Sequence, residues 1–294
     1  MAKVLVIGKN GQLAWELAQT KPHGITLSVH GSAELDIRDQ YNVDRIISEI
    51  NPDVVINTAA YTAVDKAETD TEQAYAINEQ GVKNIAIACA TRKIRLVHIS
   101  TDFVFDGSQS RPYTKYDKTN PLGVYGASKL AGENVVITNH PENSIVIRTA
   151  WVYSSHGNNF VKTMLRLMKE KTELGVVDDQ IGTPTWAKGL ARFIWELVKN
   201  RTEISQSPLV LNWTDAGVAS WYDFAQAIQE LALHKGLLKK EIAIKPIPSS
   251  SYPTPAKRPP YSVLDKNEAL TFTNIEEDVH WRKQLSKMLD ELIA

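Results

Sequence analysis

Tyr125 and Lys129 are the residues of this 294-residue chain whose types and spacing most directly suggest chemistry. Four residues apart on a helix, they share one face. A phenol with its ordinary pKa of about 10 is a poor acid at neutral pH. An ammonium nearby favours the phenolate and lowers that value. A tyrosine so tuned exchanges a proton with a carbonyl or alcohol oxygen. Thr101, in the Ser100-Thr101-Asp102 step that ends an apolar run, offers a hydroxyl to the same oxygen. Taken alone, the pair is also what an amphipathic helix with a half-buried tyrosine and a snorkelling lysine would show. Its meaning depends on the elements around it.

Those elements begin with residues 4–7, an all-apolar run expected of a strand buried on both faces of a parallel sheet. Gly8, Gly11, Gln12 and Leu13 follow in a G-x-x-G-x-x-A turn that opens a helix. Glycine lets backbone N–H groups approach a pyrophosphate, and the helix N-terminus favours its charge. A second strand, residues 25–29, runs into His30-Gly31-Ser32 without a carboxylate for the adenosine ribose. That permits a 2′-phosphate but supplies no arginine to hold it, so NADPH is mildly favoured over NADH. Asp36, followed by Ile37, either caps the amphipathic helix at 41–50 or meets the adenine edge. A third strand, 52–57, leads to Ala59-Ala60-Tyr61, small enough at first for a cofactor to cross the sheet edge. A long helix at 72–91, a fourth strand at 94–99, the Tyr-Lys helix to 139 and a fifth strand at 144–148 complete an alternating pattern. The pattern predicts an α/β fold: a Rossmann-type doubly wound parallel sheet, with ligands at the C-terminal strand ends.

Beyond residue 149 the pattern loosens. Trp151 ends the fifth strand, and Asn159 lies where a helix to 167 begins. A polar loop at 178–185, a helix at 186–199, a strand at 208–211, a helix at 220–233 capped by Ser220 and a last helix at 281–292 follow. Five prolines between 248 and 260 stiffen a loop carrying Lys257 and Arg258, cations that are either solvated or a clamp on a diphosphate. The expected organisation is a dinucleotide-binding unit over 1–150, completed by a strand and helix from about 185–213, and a smaller, mixed, mostly substrate-binding unit over 151–294.

A net charge of −1 gives no electrostatic case for nucleic acid. The N-terminal apolar run is too short for a signal peptide, and no run is long enough to cross a membrane. Cys89 is the only cysteine, so no intrachain disulfide forms; this fits a reducing, cytoplasmic setting.

The motifs GKNGQLAWEL, NTAAYTAVDKAE, STDFVFDG, VYGASKLAGE, RTAWVYSSHGNNFVKTML, DDQIGTPT and YPTPAKRP occur in that order along the chain. Jointly they resemble the dTDP-4-dehydrorhamnose reductase family of the extended short-chain dehydrogenase/reductase superfamily. The resemblance implies reduction of the C4 ketone of a dTDP-sugar by NADPH or NADH. On it, Tyr125 is the proton donor, Lys129 lowers its pKa and holds the nicotinamide ribose, and Thr101 bonds the ketone oxygen. Gly8, Gly11, Gln12 and Leu13 meet the pyrophosphate, His30, Asp36 and Ile37 the adenosine, and Ala59, Ala60 and Tyr61 the ribose side. Asp102 and Trp151 line the sugar pocket, and Asn159 and Arg258 reach the nucleotide diphosphate. Some members of the family dimerise around magnesium held by glutamates. Glu16 falls at one such position but Lys188 replaces another, so no metal is expected and Glu16 reads as an exposed carboxylate; a homodimer is allowed. Two rival readings share the fold: a non-catalytic regulatory subunit of the methionine adenosyltransferase beta type, and a reductase or epimerase of another nucleotide sugar.

Overall fold

Six short apolar runs pair into one parallel sheet. In chain order they are β1 (Ala2–Ile7), β2 (Ile25–His30), β3 (Val54–Asn57), β4 (Arg95–Thr101), β5 (Ser144–Thr149) and a sixth strand, Leu209–Asn212. The computed structural model describes residues 2–199, 208–273 and 279–293. Across the sheet the order is sixth strand, β5, β4, β3, β1, β2. The chain moves outward from β1 to β2, then returns to place β3 on the other side of β1. A crevice for a ligand opens at such a reversal. Register brings the strand ends into one line: Ile7 lies opposite His30 and Asn57, and Thr101 opposite Thr149.

β1 explains why its sequence is apolar at every position after Lys3. Val4 and Val6 join the core formed with Leu13, Leu17 and the helix Ala187–Lys199. Leu5 and Ile7 join the opposite core, formed with Val43, Ile47 and Ile85. A third core lies outside the sheet, where Met164, Phe224, Trp281 and Leu285 join the helices Phe160–Glu170, Trp221–His234 and Trp281–Asp290. Two strands that the sequence pattern did not disclose, Glu173–Val177 and Ala243–Ile247, pair in parallel beside it. Among the described residues no helix is long and apolar enough to cross a membrane.

Three expectations change. The long helix contains a π-helical turn, Ala76–Gly81, between Thr71–Tyr75 and Val82–Thr91. The helix Gln40–Ile50 is capped by Asp39, whose side chain accepts from Tyr41 N and Asn42 N, and not by Asp36. The expected polar loop at 178–185 holds the short strand Ile181–Gly182 and enters a second, Thr185–Trp186, with Thr183 and Thr185 buried. It threads between neighbours, since Thr185 N donates to Trp151 O and Ile181 N to Pro260 O.

Candidate active site

The first part of the site forms where β1, β2 and β3 end. Gly8 has φ +110°, and a Cβ there would stand 2.5 Å from Thr58 Oγ1, so only glycine lets β1 turn so close to β3. Gly8 N and Lys9 N both donate to His30 O, which stitches the turn to β2. Gly11 is the N-cap of the helix Gln12–Gln19 and makes no side-chain cap, leaving N–H groups for an anion. The resulting cleft, about 450 Å³, is lined by Gly8, Lys9 and Gly11, by Asp36, Ile37 and Arg38, and by Ala59 and Ala60. A glycine cradle, open helix N–H groups and a lining drawn from three strand ends fit a dinucleotide.

The side chains of the other residues expected there make contacts within the protein. Leu13 is in the core. Gln12 accepts from Asn159 Nδ2 at 2.9 Å, and His30 contributes its carbonyl to the turn. Tyr61 donates its hydroxyl to Asp70 Oδ2 at 3.0 Å, while Asn78 holds its backbone N–H and C=O. The turn after β2 also carries the groups that its strand lacks. Glu34 accepts from Gly31 N at 2.9 Å, and Arg38 lines the cleft. Both were missed because they lie beyond the strand end and fold back to it.

The second part forms where β4 meets the helix Val124–Asn139. Glu68 Oε1 accepts from Val124 N at 2.8 Å, satisfying a first-turn donor beside Tyr125. A Cβ on Gly126 would lie 2.2 Å from Phe103 O, and one on Gly132 2.2 Å from Asn78 O, so these glycines set the depth of the helix. Asn78, in the π-turn, donates to Ser128 Oγ at 3.0 Å, and Ser128 donates to Tyr125 O at 2.9 Å. A buried bidentate pair, Arg148 with Glu133, ties the same helix to β5. No sequence motif pointed to Asn78, which stands beside Glu79 and Gln80 in a polar step of the helix.

Tyr125 and Thr101 meet through their hydroxyls, and Thr101 Oγ1 donates to Asp102 Oδ1 at 3.0 Å. Asp102 is buried, and its Oδ2 has no hydrogen-bond partner among the described residues. Burial pushes its carboxyl up to about 6. Burial, with the Asp102 charge adding to it, pushes the Tyr125 phenol up to about 12. That reverses the expected lowering by Lys129. The lysine's Nζ instead donates to Ile99 O at 2.7 Å, and desolvation outweighs any help it gives the phenolate. Burial brings Lys129 itself down to about 8, against the opposing charge of Glu133.

A second cleft, about 440 Å³, has walls of Phe160, Met164, Leu174 and Trp221, with Tyr252 and Arg258 also lining it. Trp221 stacks on Trp151 at 3.5 Å and 6°, joining this cleft to the end of β5. Asn159 caps the adjoining helix by accepting from Lys162 N. Arg258 is not a free cation: Asp65 holds it at 3.0 and 2.8 Å. Glu16 is not exposed. It is fully buried against Ser154 Oγ at 2.7 Å, with its pKa raised by desolvation, while Lys188 pairs with Glu291. The helix carrying Glu16 packs on Ala187–Lys199, and Ser154 and Trp186 stand against the carboxylate. Among the described residues no three His, Cys, Asp or Glu side chains group to hold a metal ion.

Comparison with known proteins covers the whole chain. The family profile described as RmlD substrate binding domain matches residues 2–294. A dTDP-4-dehydrorhamnose reductase of Burkholderia thailandensis is 40% identical over 99% of both chains. The crystal structure of a dTDP-4-dehydrorhamnose reductase from Clostridium acetobutylicum superposes with a TM-score of 0.91 at 40% identity, covering 99% of this chain and 100% of that one. The Bacillus anthracis enzyme of the same name, solved in complex with NADP, gives 0.90 at 34% identity over 99% of each chain.

Proposed function

The chain belongs to the RmlD substrate-binding-domain family, that of the dTDP-4-dehydrorhamnose reductases, and from that premise we propose that it reduces the C4 ketone of dTDP-4-dehydro-L-rhamnose with NADPH or NADH. The observation that carries this reading is the hydroxyl contact of Thr101 with Tyr125 at the end of β4, with Lys129 on the same helix anchored to Ile99 O, in a chain whose β1, β2 and β3 end at a glycine-lined cleft. When bound there, the cofactor supplies a hydride to the carbonyl carbon. The chain must then hold the substrate and meet the charge that develops on its oxygen.

Tyr125 is the proton donor in this reading. Its raised pKa keeps the phenol protonated before the reaction, so a proton is available when the ketone oxygen becomes basic. Thr101 shares its hydroxyl with that phenol and so stands beside the same oxygen. The Lys129 ammonium, anchored by one bond to Ile99 O, keeps its other N–H groups for the ribose hydroxyls of the cofactor. Its charge then offsets the tyrosinate left after transfer. Gly8, Gly11, Ala59 and Ala60 would hold the pyrophosphate and ribose, and Asp36 and Ile37 the adenine. The aromatic second cleft suits the flat thymine ring, with Trp151 and Asp102 toward the sugar. Arg258 would have to leave Asp65 to meet the diphosphate, and a dianion is a stronger partner than a half-exposed carboxylate.

A cytoplasmic setting goes with a nucleotide-sugar substrate. The test is the loss of NADPH absorbance with dTDP-4-dehydro-L-rhamnose generated in place. Wild-type protein turns over, and Tyr125→Phe loses about 10²–10⁴ in kcat while still binding cofactor. Unchanged turnover by that variant refutes the assignment of the proton donor. Absence of wild-type turnover with either cofactor refutes the substrate.

A further inference from the structure

The cation of the second cleft is held by a carboxylate drawn from the other half of the chain. Among the described residues that line this cleft Arg258 is the charged one; the rest are apolar or neutral. Its partner, Asp65, sits in the short helix Val64–Ala67, shortly after Thr62 in the wall of the first cleft. Asp65 Oδ1 accepts from Arg258 Nη1 at 3.0 Å, and Oδ2 accepts from Nη2 at 2.8 Å. Thr254 Oγ1 and Ala256 O accept further bonds from Nη1, and Ala256 N donates to Asp65 Oδ1 at 3.2 Å. The pair therefore fastens the proline-stiffened loop to the segment that follows β3. The guanidinium holds the Asp65 carboxyl below the usual carboxylate range, so the group is an anion at neutral pH.

Two oxygens presented to a guanidinium fork are also what a diphosphate offers. The same N–H groups cannot serve both, so the Asp65 contact and a bound diphosphate exclude each other at Arg258. The two side chains are 25% and 41% exposed, and a pair so open to water parts at small cost. The exchange also has a use. Reduction at C4 leaves the diphosphate untouched, so substrate and product grip Arg258 equally. Contacts of that kind lower KM without raising kcat, and too firm a grip delays the product. A carboxylate competing for the same guanidinium loosens both.

We propose, resting on the reductase reading above, that Asp65 is an internal stand-in for the substrate diphosphate. It holds Arg258 while the cleft is empty, yields it when the nucleotide enters and takes it back as the product leaves.

The test is calorimetric binding of dTDP and thymidine to wild type, Asp65→Asn, Arg258→Gln and the double variant. Asparagine keeps an oxygen for Ala256 N and removes the charge. Losing a part-exposed competing pair, and losing a like charge a few ångströms from the phosphates, each strengthen binding a few-fold. Asp65→Asn therefore binds dTDP about tenfold more tightly. Thymidine, which has no phosphate, binds wild type and Asp65→Asn alike. With dTDP-4-dehydro-L-rhamnose, KM falls by the same factor as the dTDP affinity rises, and kcat does not rise. The gain shrinks at high salt, and it shrinks in the Arg258→Gln background, where no guanidinium is released. An Asp65→Asn affinity for dTDP equal to wild type, or weaker, overturns the proposal. Weaker binding of dTDP and thymidine together would mean that the carboxylate only braces the loop. A gain undiminished in the Arg258→Gln background overturns it too, because the guanidinium is then not what Asp65 withholds. If wild type binds neither dTDP nor a nicotinamide dinucleotide, the reductase reading fails and takes this one with it. If it binds both while Asp65→Asn changes nothing, only the exchange falls.

Discussion

Replacing Asp102 with asparagine should stabilise the unliganded protein while damaging its activity. The carboxyl is buried, one oxygen has no hydrogen-bond partner among the described residues, and its pKa stands at about 6 against an ordinary 3.8. An acid whose folded pKa is raised binds its proton more tightly when folded. Stability is therefore lost as pH rises from the unfolded value through the folded one, and the full penalty persists above it. Linkage gives a penalty of about 1.6 kcal/mol at about pH 5 and about 3 kcal/mol at about pH 7.5. An amide of the same shape can still accept from Thr101 and carries no charge to desolvate. Urea unfolding of both proteins across that pH range should show the Asn variant more stable, with a gap that roughly doubles from the acid end to the alkaline end. At neutral pH the gain corresponds to a rise in melting temperature of roughly 5–10 °C for a chain of this size. A variant no more stable than wild type at about pH 7.5, or a gap independent of pH, refutes the buried-charge argument. A gain in stability paired with lost turnover is the pattern expected where function retains an unfavourable group.

Other outcomes follow from the same geometry. Lys129, brought down to about 8 by burial, should lose its proton in the free enzyme as pH rises through that value. The kcat/KM profile then falls on its alkaline side near there, and a profile flat to about pH 9.5 contradicts the role given to the ammonium. Glu133→Gln leaves Arg148 buried beside Phe105 without its carboxylate. It should cost about 3–5 kcal/mol in urea unfolding, far more than an exposed pair would. The same variant removes the charge that holds up the Lys129 pKa, so in any material that folds, the alkaline limb moves to lower pH.

How much of this was legible in the sequence depends on the distance over which each signal acts. β1 and the turn after it read correctly because an unbroken apolar run and a glycine at a left-handed position are local necessities. Tyr125 and Lys129 read correctly as neighbours on one helix, because i and i+4 is a property of the helix alone. Their electrostatics did not, since the pKa of the phenol depends on what β4 and the loop at Asp102 place around it. Glu16 shows the same limit. Its position near a helix start suggested exposure, but the helix Ala187–Lys199, drawn from far along the chain, packs over that face. Glu34 was passed over for the opposite reason. It sits outside the strand where a ribose-binding carboxylate is sought, and only the turn Gly31–Leu35, closed by Leu35 N donating to Gly31 O, returns it to the strand end. The position at which a strand ends is therefore a poor guide to which side chain stands there. A loop that folds back can supply the charge its strand omits.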